Sequence, residues 1–249
     1  MIKAVQDKSE LEFLGSSPFS AVITSLFNTF GTGTNFAKFY VQGKNAAMSG
    51  VDGNFNIYAD ENADFEEIAE FLSFGGFASV KGEKEVIEKL GLDISDSSYT
   101  VRYIGEKAVK PVGFVDSFDP HKLYELLKSV GFAKGDYGSF ASDVCLRFNK
   151  GTAVFGGISE DGKLLTCCLN LFKGDKSNLI GALATSEKAR GRGLASAIVP
   201  YMAQSDKPSY LFCRVDSLAE FYKNCGFEVC GKWAICEKTA DFNIYGGTI

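Results

Sequence analysis

Histidine, tryptophan and proline are scarce in this chain: one, one and five of them in 249 residues. A single histidine, His121, together with the absence of any C-x-x-C pair, removes the usual zinc ligand sets, so no metal site is expected. Cysteine is missing from the first 144 residues, and the seven that follow stand at 145, 167, 168, 213, 225, 230 and 236. An odd number confined to one part of the chain does not make a disulfide framework; free, mostly buried thiols in a reducing compartment are expected. No apolar run approaches the ~18 residues that cross a bilayer, Leu164 to Phe172 being the longest near-candidate. The N-terminus reaches Asp7, Glu10 and Glu12 before a secretion signal could form. A cytoplasmic protein without a membrane partner is expected. The net charge of −5 excludes a generic nucleic-acid binder, which needs a basic face to displace counterions. Neither a Walker loop nor a G-x-G-x-x-G turn is present, which removes the common nucleotide cradles.

What is present is an ordinary globular composition, 45% hydrophobic and 23% charged, long enough for two small domains. The charge is uneven. Residues 1–92 carry 13 acids against 7 lysines and no arginine, a balance of −6, while the remainder balances at +1. Gly105 to Asp119, with Pro111 and Gly113, reads as a connector. We therefore expect an N-terminal α/β domain over 1–104 and a second domain over 105–249.

In the first part, Asn35–Gln42 and Asn54–Ala59 alternate around turns at Lys44-Asn45 and Asp52-Gly53, which predicts a hairpin or meander. Asp60–Leu72 has Phe65, Ile68, Ala69 and Leu72 at helical spacing; its acids would face water. Phe77–Val80 reads as a strand and Glu83–Leu90 as a short helix. In the second part Ser98–Ile104 is a strand. Asp119-Pro120 then starts a helix with Leu123, Leu126, Leu127 and Val130 as its buried stripe and His121 on its wet face. Thr152–Ser159, Leu164–Phe172 and Asn178–Thr185 make an antiparallel meander. A helix over Arg192–Gln204, a strand over Ser209–Val215, a helix over Leu218–Cys225 and a strand over Phe227–Cys236 complete a mixed α/β order. Ser217 and Glu220 read as a capping box, and Gly226 as a left-handed terminator.

The stretch richest in chemistry is the strand that ends Leu183-Ala184-Thr185 and the loop Arg190-Gly191-Arg192-Gly193-Leu194-Ala195 that opens the next helix. Small residues admit a ligand to the backbone, free amides at the helix start favour an anion, and two arginines add charge. This loop resembles motif A of the GCN5-related N-acetyltransferases, Q/R-x-x-G-x-G/A, filled here by Arg190, Gly193 and Ala195. Downstream, Phe221-Tyr222-Lys223-Asn224-Cys225-Gly226-Phe227 is similar to the family's motif B. The resemblance covers residues 135–238.

It implies a mixed, mostly antiparallel sheet flanked by helices, and acetyl-CoA as cosubstrate. The amides of Arg190–Ala195 would hold the pyrophosphate, the edge of Leu183, Ala184 and Thr185 would pair with the pantetheine, and Tyr222 would be the general acid. It further implies transfer to a primary amine on a small molecule or peptide, by direct attack. Three features depart from the pattern. Pro200 falls inside the helix after the loop, Val215-Asp216-Ser217 replaces an expected asparagine, and only Ser177 and Asn178 stand where some relatives carry a glutamate base, with Asp175 in a turn nearby. A catalytically silent CoA-binding module is the alternative. Vicinal Cys167 and Cys168 invite a thiol intermediate, which the lack of a neighbouring base disfavours. The N-terminal part has no second signature; its strand and helix order resembles a worn half of a tandem acetyltransferase.

Overall fold

Strands and helices alternate in the same sequence twice along the chain. The computed structural model describes residues 1–133 and 135–238. The first series is β1 (Ile2–Ala4), α1 (Pro18–Phe30), β2 (Ala37–Gln42), β3 (Ala46–Val51), β4 (Asn54–Ala59), α2 (Phe65–Gly75), β5 (Ser79–Glu83), α3 (Lys84–Lys89) and β6 (Asp96–Tyr103). The second is β7 (Phe114–Val115), α4 (Pro120–Ser129), α5 (Tyr137–Asn149), β8 (Val154–Glu160), β9 (Lys163–Lys173), β10 (Asn178–Thr185), α6 (Leu194–Ala203), β11 (Ser209–Phe212), α7 (Ala219–Asn224) and β12 (Phe227–Glu237).

All twelve strands form one sheet in the order β1-β2-β3-β4-β5-β12-β6-β11-β10-β9-β8-β7. The order is symmetric about its centre, and the final strand of each series has crossed over. β6 pairs with β11, and β12 pairs with β5. Pairing is antiparallel except for β4 with β5 and β10 with β11, each joined through a helix. Neither series closes its sheet without a strand of the other.

Helices α1, α4 and α5 cover one face of the sheet; α2, α3, α6 and α7 cover the other. Local chemistry accounts for most of these elements. The Asp119 carboxylate accepts from the amides of His121 and Lys122, and Pro120 follows at the first turn, as the sequence predicts. Asp64 caps α2 through the Glu67 amide.

Helix α1 had no counterpart in the sequence reading. Ser17 caps it, and ten of its residues are buried, including Phe19, Val22, Ile23 and Leu26. Its hydroxyls are satisfied inside the core: Thr24 donates to Ser20 O at 2.7 Å and Ser25 to Thr152 O at 3.1 Å.

Two expectations are corrected. The strand predicted through Val215 ends at Phe212. The Ser217–Glu220 capping box does not form, because a 3-10 turn over Asp216–Leu218 runs straight into α7. Within that turn the amides of Leu218 and Ala219 donate to the carbonyls of Val215 and Asp216, and the Asp216 carboxylate accepts from Ser98 Oγ.

Candidate functional site

Strand β10 carries a bulge. Gly181 pairs with Leu169 and Ala184 with Cys167, so Ala182 and Leu183 oppose one residue of β9. Ala182 sits at φ +50°, a left-handed conformation that a non-glycine residue adopts at a cost of roughly 1 kcal/mol or more. Its carbonyl accepts from Cys167 Sγ at 3.2 Å, and that of Ala184 from Thr166 Oγ1 at 2.7 Å, which pins the bulge to β9. On the other side, the parallel ladder to β11 covers only Asn178–Ile180 against Ser209–Leu211. From Gly181 onward the two strands part, and the β10 edge through Leu183, Ala184 and Thr185 has no strand beside it among the described residues.

Past Thr185 the chain makes a short 3-10 turn, Glu187–Ala189, and reaches Arg190 in extended form. Gly191 and Gly193 take φ of +75° and +74°, with no atom within 4 Å of where a Cβ would stand, so the loop backbone lies open. Gly193 is the N-cap of α6 and provides no side-chain acceptor. The helix's first bond runs from Ala197 N to Gly193 O, leaving the amides of Leu194, Ala195 and Ser196 at an uncapped, positive helix end. Arg192 is spoken for: it donates to both oxygens of Glu160, at 3.0 and 3.2 Å. Arg190 makes no such pair among the described residues.

Tyr222 stands on α7 with 6% of its surface exposed, its ring edge-on to Phe227. Burial, and then Cys168, Cys213 and Cys225 around it, push its pKa well above the ordinary tyrosine value, so the hydroxyl keeps its proton. That hydroxyl has no hydrogen-bond partner among the described residues. Tyr222 lines a cavity of about 240 Å³ whose other walls come from β10 and β11 where they part and from α1, α4 and α5. Gly181, Ala182 and Leu183 lie along this cavity, whereas Arg190–Ala195 lie outside it. The polar groups on its wall were not singled out by sequence: Asn54, Asn56, Lys81, Asp143, Arg147 and Arg214. Asp143 and Arg147 form an i,i+4 pair on α5, a helix the sequence reading lacked; Lys81 comes from the other series of strands altogether.

Several nominated groups stand elsewhere. His121 is exposed on α4. Asp175 is tied to α1, accepting from Lys8 Nζ and Asn28 Nδ2, each at 3.0 Å. Among the described residues no three metal-ligating side chains cluster, and no helix is long and apolar enough to cross a membrane.

No protein-family profile and no curated protein matches the sequence. Solved structures do match in fold. A tandem GNAT protein from the clavulanic acid biosynthesis pathway superposes at a TM-score of 0.59, with 10% identity, over 94% of this chain and 97% of its own. A GCN5-related N-acetyltransferase from Kribbella flavida gives 0.59 and 15% identity over 88% and 95%. A GNAT-family acetyltransferase from Colwellia psychrerythraea gives 0.55 and 14% over 94% and 98%. The chain has the GNAT fold.

In GNAT terms the motif A residues Arg190, Gly193 and Ala195 open α6, and motif B is α7 with its Gly226 terminator at φ +86°. Pro200 lies within α6, where it withholds one backbone donor. The vicinal thiols are fully buried. Burial pushes Cys167 up to about 12, and Cys168 well above its ordinary value, so neither offers a thiolate. Iodoacetamide on the folded protein is therefore expected to label the exposed Cys230 and spare Cys167, Cys168 and Cys213, as read by peptide mass spectrometry. Labelling of Cys168 at the Cys230 rate would reinstate a thiol route.

Proposed function

We propose that the protein is an N-acetyltransferase that moves an acetyl group from acetyl-CoA to a primary amine by direct attack. The observation that carries this reading is the parting of β10 from β11: Gly181, Ala182, Leu183 and Tyr222 line the cavity there, and β10 runs on through its open edge to the uncapped start of α6. The amides of Arg190–Ala195 fit a pyrophosphate, and the edge of Leu183, Ala184 and Thr185 fits the pantetheine as an added strand. The amides near Leu183 and Ala184 would polarise the thioester carbonyl. As the nitrogen–carbon bond forms and the carbon–sulfur bond breaks, Tyr222 would give its proton to the sulfur, the amine would lose one to water in the cavity, and the tyrosinate would regain its proton from that water. The burial that holds the Tyr222 proton also raises the proton affinity of a thiolate formed beside it, so the two effects offset each other.

The boundary near residue 104 separates this machinery from a copy without it. α3 and α7 each run six residues and meet a glycine two positions later, Gly91 and Gly226; Ile87 stands where α7 has Tyr222. The β4–α2 junction carries Asp60, Glu61 and Asp64 where β10–α6 carries arginines and glycines. We read residues 1–104 as a degenerate half that contributes a cavity wall and no second acetyl-CoA site.

Isothermal titration with acetyl-CoA at fixed salt tests the proposal. Micromolar binding, weakened about tenfold or more (roughly 1.4 kcal/mol) in an Arg190→Ala/Arg192→Ala double variant, is the expected result. No binding at millimolar acetyl-CoA sinks the reading. A silent CoA-binding module remains the second reading on one observation: Asp143, the one carboxylate bordering the cavity among the described residues, is committed to Arg147 and is not a free base.

A further inference from the structure

The charges bordering the cavity are of one sign once internal pairs are removed. Asp143 and Arg147 neutralise each other: Arg147 Nε donates to both carboxylate oxygens, at 3.0 and 2.9 Å. That leaves Lys81 and Arg214. Lys81 reaches from β5 across β12, its ammonium 4.4 Å from the Trp233 ring centre and 4.6 Å from that of Phe212. The Arg214 guanidinium lies 5.1 Å over the ring of Phe132. Both therefore rest on aromatic faces, and among the described residues neither head group has a hydrogen bond or an ion pair. Most of the remaining wall is hydrocarbon, including Leu123, Phe140 and Phe148.

We propose that the acceptor is an aminocarboxylic acid whose carboxylate is held by Lys81 and Arg214. This rests on the acetyltransferase reading and gives its amine a chemical class. For the part-buried Lys81 a position in an apolar wall is costly without a counter-charge, and the aromatic faces offset only part of that cost, whereas Arg214 is exposed and stands as the outer cation. Desolvation holds Lys81 down to about 8, although Asp96 and Glu237 pull it upward from a distance. A carboxylate arriving between the two head groups would complete both with charge-assisted bonds. Its amine would then face Gly181–Leu183 and Tyr222, which line the same cavity. At about 240 Å³ the space suits a small molecule and falls below the roughly 300–1,000 Å³ of drug-sized sites. A polyamine is disfavoured by the same two cations. The acidic residues of α2, which would suit a cation, belong to the helix layer on the opposite face of the sheet. A carboxylate is favoured over a phosphate, because beyond the two cations the wall is mostly apolar and would leave a phosphate's further oxygens without donors.

The test uses matched probes on the full chain. In the absence of acceptor chemistry, CoA-loaded protein is titrated with 3-phenylpropanoate and with 3-phenylpropanamide. CoA release from acetyl-CoA is then followed with L-phenylalanine against L-phenylalaninamide, glycine against glycinamide, and with O-phosphoethanolamine and putrescine. The acids are expected to outperform their amides at least tenfold in binding. Lys81→Met and Arg214→Gln should each bring that ratio toward one while circular dichroism and CoA affinity stay at wild-type values. Equal binding of acid and amide, preference for putrescine or O-phosphoethanolamine, or no acid binding at about 10 mM to protein that does bind CoA would overturn the carboxylate assignment alone. Failure of CoA itself to bind would remove the acetyltransferase reading first, so the two failures are distinguishable.

Discussion

Replacement of Tyr222 by phenylalanine is expected to lower kcat by two to four orders of magnitude and to leave acetyl-CoA affinity within about twofold of wild type, the range that general acid catalysis supplies. The substitution removes one oxygen and no hydrogen bond, since the hydroxyl has no partner among the described residues. The ring packing against Phe227 is retained, so stability should change little. Steady-state release of CoA and isothermal titration separate the two effects. Because burial holds the Tyr222 proton above the ordinary tyrosine range, any alkaline fall in kcat through this group should begin beyond that range rather than near neutrality. A variant within about threefold of wild-type turnover would show that Tyr222 only packs, and with binding intact the acid would have to be sought among waters of the cavity. A protein with no turnover in either form but normal binding would be the silent module.

Phe19→Ala is expected to cost roughly 3–5 kcal/mol, the range for removing a fully buried aromatic side chain. Phe19 is 0% exposed, and its ring centre lies 5.2 Å from that of Phe212. For a chain of this size each kcal/mol moves Tm by about 2–4 °C, so a fall of roughly 6 °C or more should appear in calorimetry. Phe212 also carries the Lys81 ammonium, so the variant should weaken preference for carboxylate probes as well as stability. A cost below about 1 kcal/mol would mean that α1 can settle into the vacated space, contrary to its burial on nearly every side.

The loop that opens α6 and the helix α7 were legible in sequence because both are local. Glycines at positive φ, an apolar strand before them and an aromatic-Tyr run before Gly226 state their conformation within a few residues. Helix α4 was legible for the same reason, through Asp119-Pro120. Helix α1 was not, since Val22, Ile23 and Thr24 favour strands and the buried Ser20, Thr24, Ser25 and Thr29 interrupt its apolar face. The capping box misled because Ser217 and Glu220 have the right spacing, while the 3-10 turn over Asp216–Leu218 is invisible in spacing alone.

By itself the sequence determined the fold class, the order of elements from β8 to β12, the loop that opens α6 and the position of Tyr222 on α7. These depend on backbone geometry and short-range hydrophobic period. Tertiary structure alone decided the exchange of β6 and β12, the commitment of Arg192 to Glu160, and the meeting of Lys81 with Phe212 and Trp233 across more than a hundred residues of chain. Such contacts depend on which strand edges pair and which face of the sheet a side chain takes. A one-residue change in register would turn Lys81 to the other face and dismantle the cavity wall without altering any local pattern.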